Sequence, residues 1–191
     1  ELLREARRRG LKVTAEATPH HFVLDHAAVG EYDTHAKMNP PLRLPEDVLA
    51  IQEALADGTI DAIATDHAPH GPADKEVEFA RAMNGVVGLE TALPLTLELV
   101  FQNKLTPKRA VELLSTGPAK AFNLPGGSLG EGDPADVTVV DPDAIWTVDA
   151  RAFLSKSGNT PFHGREVRGR VTHTVVGGQV KYLNGDVGSC L

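Results

Sequence analysis

A chain of 191 residues with 41% hydrophobic and 24% charged side chains has an ordinary globular make-up and room for one domain or one and a half. Its formal net charge of −7 disfavours nucleic acid and anionic membrane surfaces as main partners. A single cysteine, Cys190, excludes an intrachain disulfide, no apolar run approaches the roughly 20 residues of a membrane span, and a reducing cytoplasm is the expected setting.

The chain opens on Leu2-Leu3-Arg4-Glu5-Ala6-Arg7-Arg8-Arg9-Gly10, which reads as the end of a helix, with basic residues in the last turn and glycine at the stop. The arginine triplet is a solvated helix face or a binding patch. A first residue other than Met, followed by closing helical turns, suggests a piece of a longer protein. Leu11 to Ala17 alternates apolar and polar residues, the period of a strand, and Pro19 is expected to break regular pairing there. A loop is expected to follow through Pro45. Glu46 to Asp57 carries apolar residues at helical spacing and stops at Gly58. Ile60 to Thr65 is a short apolar strand ending at Asp66-His67-Ala68-Pro69-His70.

Strand, loop, helix and strand in that order are the alternation of a parallel α/β protein. The polar clusters follow the C-terminal ends of strands, the edge where such folds build active sites. A polar loop over residues 71–83 is long enough to suggest function. Residues 89–103 and 107–122 read as helices, with Thr106-Pro107 supplying an N-cap and a first-turn proline. From Gly126 glycine-rich turns separate short alternating runs over residues 135–140, 145–148, 171–176 and 179–182. Gly177-Gly178 between the last two signals a hairpin. A second, β-rich unit is expected from residue 126.

Asp66 with His67 and His70 can bind a divalent metal or move a proton, or can cap and fill a loop. Pro69 fixes the backbone beside His70. His20 and His21 tempt a second metal assignment, but neighbours on an extended chain point to opposite faces. The other reading has one of them packed and the other hydrogen-bonded locally. Asn39, flanked by Pro40 and Pro41, offers an amide that matches the edge of an imide or cyclic amide, or a plain turn. Asn84-Gly85 can bring backbone N–H groups close to a ligand, or form an ordinary loop.

Taken together, Glu16 to His21, Lys37 to Arg43, Ala64 to His70 and Asn84 to Pro94 resemble the dihydroorotase family of the amidohydrolase superfamily, in the family's order and spacing. Gly132 to Pro142 looks like the start of the small β domain these hydrolases carry, and Asn159-Thr160-Pro161-Phe162 continues that likeness.

The resemblance implies an α/β fold: the C-terminal portion of a distorted TIM (β/α)8 barrel followed by a small β-rich domain. Residues 1–125 would carry strands seven (11–17) and eight (60–65) with flanking helices, and residues 126–191 the C-terminal part of the β domain. It implies one or two zinc ions at the C-terminal ends of the strands, with most ligands upstream. Asp66 is the one family metal ligand retained here. Asp66 would also be the catalytic acid and base, while Asn39, His70, Asn84 and Gly85 match positions that contact substrate. His20 and His21 match no family metal ligand.

The implied reaction is the reversible hydrolysis of dihydroorotate to N-carbamoyl-L-aspartate in pyrimidine (UMP) synthesis. An allantoinase- or dihydropyrimidinase-type cyclic amidohydrolase is the nearby reading. A non-catalytic subunit scaffolding aspartate transcarbamoylase is the reading of a different class. A homodimer or aspartate transcarbamoylase would be the protein partner. This chain alone is expected to be inactive, because two strands cannot close an eight-stranded barrel.

Overall fold

A computed structural model describes residues 1–187; Cys190 and the end of the expected β domain lie outside them. Helix α1 (Leu2–Arg8) ends at Gly10, whose φ is 75°, as its basic last turn and glycine stop suggest. Strand β1 (Glu16–Ala17) pairs in parallel with β2 (Ala62–Ile63). Helix α3 (Pro45–Ala56) lies between them, after a short α2 (Pro19–Val23) and two 3-10 turns at His26–Val29 and Thr34–Ala36.

The expected strand over residues 11–17 keeps its alternation from Lys12 onward, although Leu11 is exposed. Lys12, Thr14 and Glu16 are exposed, while Val13 and Ala15 are half-buried and Ala17 is buried. Regular pairing covers only its last two residues, because a ladder needs a partner and periodicity alone does not supply one. Asp61 secures the start of β2 against β1. Its backbone N–H donates to the Ala15 carbonyl (2.8 Å), and its carboxylate accepts from Ala15 N–H (2.8 Å) and from Arg7 (2.6 Å).

Regular pairing stops at Ala17, before Pro19, as expected, and the proline then starts a helix. Proline lacks an N–H that the first helical turn leaves unpaired anyway, and its fixed φ suits that turn. The segment over residues 71–83 contains one helical turn, α4 (Pro72–Lys75). Helix α5 covers Ala92–Phe101.

Residues 107–122 are helical throughout but not uniform. α6 (Pro107–Val111) passes through a π segment (Glu112–Thr116) into α7 (Gly117–Phe122). Thr106 Oγ1 accepts from Arg109 N–H at 3.1 Å, the expected cap. Pro118 interrupts the interior, where its ring and missing N–H prevent the ordinary bond to the preceding turn.

Phe22, Leu55, Ile63, Leu99 and Leu113 form the main apolar core between α2, α3, β2, α5 and the π segment. Burying each such side chain contributes about 1.5–3 kcal/mol.

From residue 137 onward the regular elements are mostly strands. β3 (Val137–Thr147), β4 (Glu166–Val176), β5 (Gln179–Leu183) and β6 (Asp186–Val187) form an antiparallel sheet in that order. The runs at 135–140 and 145–148 belong largely to one irregular strand, whose register shifts between Asp141 and Ile145. Pro142 in that gap has no N–H to give the ladder. Gly177 and Gly178 turn the chain between β4 and β5 at φ of 56° and 77°, the doubly positive pair a tight hairpin needs.

The sheet rests on α5 through Leu95, Val148, Phe162 and Val167, and Arg165 pairs with Glu98 at 2.8 Å. Burial raises the Glu98 carboxyl above its usual range, opposed by that arginine. Among the described residues no helix is long and apolar enough to cross a membrane.

Candidate active site

The site is built where β2 ends. Asp66 has a φ of 48° and an exposed side chain. Left-handed backbone at a non-glycine residue is uncommon, and an aspartate tolerates it better than most residues. Strain of this kind often sits at functional positions, where the surrounding structure holds it.

After Asp66 the chain pairs with the segment that begins at Asn84. His67 forms a parallel bridge with Val86, and Ala68 N–H donates to the Val86 carbonyl at 2.9 Å. Gly88 N–H donates to His67 Nδ1 at 3.2 Å. His70 Nε2 lies 2.9 Å from the Asn84 carbonyl.

Gly85 has a φ of 120°, and a Cβ there would lie 2.6 Å from Ala68 Cβ. Only glycine allows the two loops to approach this closely. Gly85 N–H in turn donates to the Lys37 carbonyl at 3.0 Å. This bond ties in the turn that carries Asn39, so the structure joins His70, Asn84, Gly85 and the Asn39 segment around the end of β2.

Asn39 is exposed, beside a cis bond to Pro40. His21 holds that turn from below. A carbonyl can only accept, so His21 Nε2 donates to the Pro40 carbonyl (2.9 Å), which leaves Nδ1 to accept from the Thr18 hydroxyl (2.6 Å). His20 is buried with Nε2 unpartnered among the described residues. Burial, and then His21, push its imidazole down from 6.5 to about 3. One histidine therefore packs and the other bonds locally. The argument from an extended chain does not apply, because both lie on a helix with ring centroids 4.4 Å apart.

Two lysines in the network are not singled out by the sequence, Lys75 not at all and Lys37 only as the first residue of a quoted motif. Lys75 is buried, and its ammonium donates to the carbonyls of Met83 (2.9 Å) and Gly85 (3.1 Å). Burial, then Lys37, lower its pKa. Lys37 Nζ donates to the carbonyls of Phe79 (2.7 Å) and Ala82 (2.6 Å). The polar loop is thus closed by inward-pointing amines, which a hydrophilic composition does not distinguish from solvated ones. Asn159, quoted above for its resemblance only, also reaches this network. Its Nδ2 donates to the Ala68 carbonyl at 2.9 Å.

Among the described residues no three His, Cys, Asp or Glu side chains gather to hold a metal. The Asp66 carboxylate fits as one oxygen ligand of a zinc ion, which takes about four. His67 Nδ1 and His70 Nε2 are engaged by backbone groups. A cleft of about 560 Å³ between the start of α5 and the sheet, lined by residues such as Leu93, Trp146 and Phe153, includes none of the expected site residues. The chemical groups stand instead on an open strand edge.

Residues 3–181 match the amidohydrolase family, and the chain belongs to that family. It is 54% identical over 186 residues to a dihydroorotase of Syntrophotalea carbinolica, covering 97% of this chain and 44% of that protein. It is 56% identical over 185 residues to a dihydroorotase of Anaeromyxobacter sp. strain K, covering 96% and 43%. The chain therefore spans less than half the length of these curated relatives. Among solved structures, the L-hydantoinase (dihydropyrimidinase) of Arthrobacter aurescens superimposes with a TM-score of 0.93 at 33% identity, covering 98% of this chain and 43% of that one. The dihydropyrimidinase of Brevibacillus agri gives 0.90 at 26% identity, covering 97% and 42%. An α/β fold accords with both.

Proposed function

We propose that the whole protein containing this chain is a dihydroorotase, which reversibly hydrolyses the cyclic amide of dihydroorotate to N-carbamoyl-L-aspartate. The observation that carries this reading is identity of 54–56% to curated dihydroorotases over almost the entire chain. The site residues accord with it: a carboxylate at a strand end, an imidazole and an asparagine–glycine backbone share one edge. Residues 1–125 are the C-terminal part of a (β/α)8 barrel, and residues 126–191 belong to a smaller β domain.

Zinc, when bound, supplies a Lewis acid that lowers the pKa of water toward 7. The Asp66 carboxylate takes a proton from the attacking water as oxygen adds to the ring carbonyl. It returns that proton to the amide nitrogen as the C–N bond breaks, serving as base and then acid. Asn39 presents a donor and an acceptor to the ring amide. His70 meets the rest of the substrate together with the Asn84 N–H. Gly85 N–H does not take part, contrary to expectation, since it donates to the Lys37 carbonyl, and Gly85 serves instead by its lack of a side chain.

A dihydropyrimidinase-type activity is the second reading, favoured by the TM-score of 0.93 to an L-hydantoinase. Steady-state assays of the full-length zinc protein on dihydroorotate, dihydrouracil, hydantoin and allantoin separate the two. Dihydroorotase predicts a kcat/KM for dihydroorotate at least about a hundredfold above the others. Preference for an uncharged ring overturns it, and no turnover of any of them supports a scaffolding subunit instead.

A further inference from the structure

We infer that Asn159 is a positioning residue for the substrate-facing edge of the proposed site, a role that rests on the dihydroorotase reading. Asn159 is 2% exposed, so it does not meet substrate itself. Its amide nitrogen donates to the Ala68 carbonyl (2.9 Å) and to the Gly85 carbonyl (3.1 Å), one on each of the two site loops. Its Oδ1 accepts from His70 N–H at 3.0 Å. Its own carbonyl accepts from Val87 N–H at 3.0 Å. Both donor hydrogens of the amide and one lone pair are used, all on main-chain groups of residues 68–70 and 85.

The neighbouring Ser157 hydroxyl donates to the His70 carbonyl, so the 157–159 segment holds the His70 peptide from both sides. The loops also meet directly, through Ala68 N–H on the Val86 carbonyl, Gly88 N–H on His67 Nδ1 and the His70 ring on the Asn84 carbonyl, but the bonds to the His70 peptide come from a segment 89 residues further along the chain. Removing the amide unties the His70 peptide from the Gly85 carbonyl, so that the imidazole is placed by its ring bond to Asn84 and by Ser157 alone. Asp66, four residues earlier and three past the end of β2, makes none of these bonds. The loss therefore falls on substrate binding rather than on proton transfer.

The test uses the full-length zinc enzyme with Asn159→Ala and Asn159→Asp. The aspartate keeps the shape and the acceptor for His70 N–H, but it turns an oxygen toward two carbonyls. Both variants should raise KM for dihydroorotate about tenfold or more, with kcat within about threefold of wild type and zinc content unchanged. In a His70→Ala background the same substitutions should add much less to KM, because Asn159 acts through that residue.

Unchanged KM with only a lower melting temperature would assign Asn159 to stability alone. An equal, additive effect without His70 would overturn the inference, as would the failure of both variants to fold with zinc. Should the wild-type enzyme turn over no cyclic amide, the proposed function falls first, and this inference with it.

Discussion

His70 Nε2 lies 2.9 Å from the carbonyl oxygen of Asn84, and that contact fixes the imidazole's proton. A carbonyl accepts only, so Nε2 carries the hydrogen, and in the neutral ring Nδ1 is left as an acceptor. The ring is thus suited to accept a hydrogen bond from a substrate N–H through Nδ1. In the full-length enzyme His70→Ala should raise KM for dihydroorotate by at least about tenfold, with a smaller change in kcat. Steady-state kinetics reads the split. A fall in kcat alone would place His70 in the chemical step instead.

Gly85 is the narrowest point between the two site loops. Gly85→Ala places a Cβ 2.6 Å from Ala68 Cβ at a φ of 120°, so both sterics and backbone oppose it. The substitution should destabilise the full-length protein by about 2 kcal/mol, read as a lower urea midpoint. An unchanged midpoint would mean that the loops have room to separate.

Lys75 closes the polar loop from inside. Lys75→Met removes the donor to the Met83 and Gly85 carbonyls, and since Asn159 still serves Gly85, the cost is about 1–3 kcal/mol for the Met83 carbonyl left without this donor. Limited trypsin digestion of the full-length protein should then cut faster after Arg81, which lies within that loop. Equal cleavage rates would show that the loop holds without the amine.

His20 gives the fold an acid sensitivity of definite sign. Unfolded, its imidazole binds a proton below 6.5; folded, it resists until about 3. Between those values the unfolded state holds more protons, so stability present above 6.5 is lost as pH falls. The slope is about 1.4 kcal/mol per pH unit, or about 2 kcal/mol by pH 5. His20→Leu should remove this component from urea unfolding measured between pH 7.5 and 5. A variant with the wild-type slope would place the titration elsewhere.

The parts legible in the sequence are those set by local chemistry. Gly10 and Gly58 mark helix ends, Thr106-Pro107 marks a start, and Gly177-Gly178 marks a hairpin, because each supplies a conformation or a cap directly. From Lys12 to Ala17 the even and odd positions separate exposed from more buried side chains for the same reason, while Leu11 is exposed. Ladder length was not legible, since pairing at Glu16–Ala17 depends on Ala62–Ile63, some 46 residues away. Nor was the π segment before Pro118, which follows from a proline that helical periodicity does not weigh. In the site, Asp66, His70 and Gly85 stood out by residue type at a strand end or a turn. Lys75 and Asn159 did not, because a buried amine or amide satisfied by distant carbonyls looks like any polar loop residue until the chain is folded.

The role of Asp66 is tested most directly by kcat for dihydroorotate in full-length Asp66→Asn. Asparagine tolerates the φ of 48° at this position, and the side chain is exposed, so the fold and its melting temperature should stay near wild type. The amide cannot accept and return a proton as the carboxylate does, and kcat should fall by about a thousandfold or more. Turnover within a few-fold of wild type in a folded protein would contradict the hydrolase mechanism built on this residue.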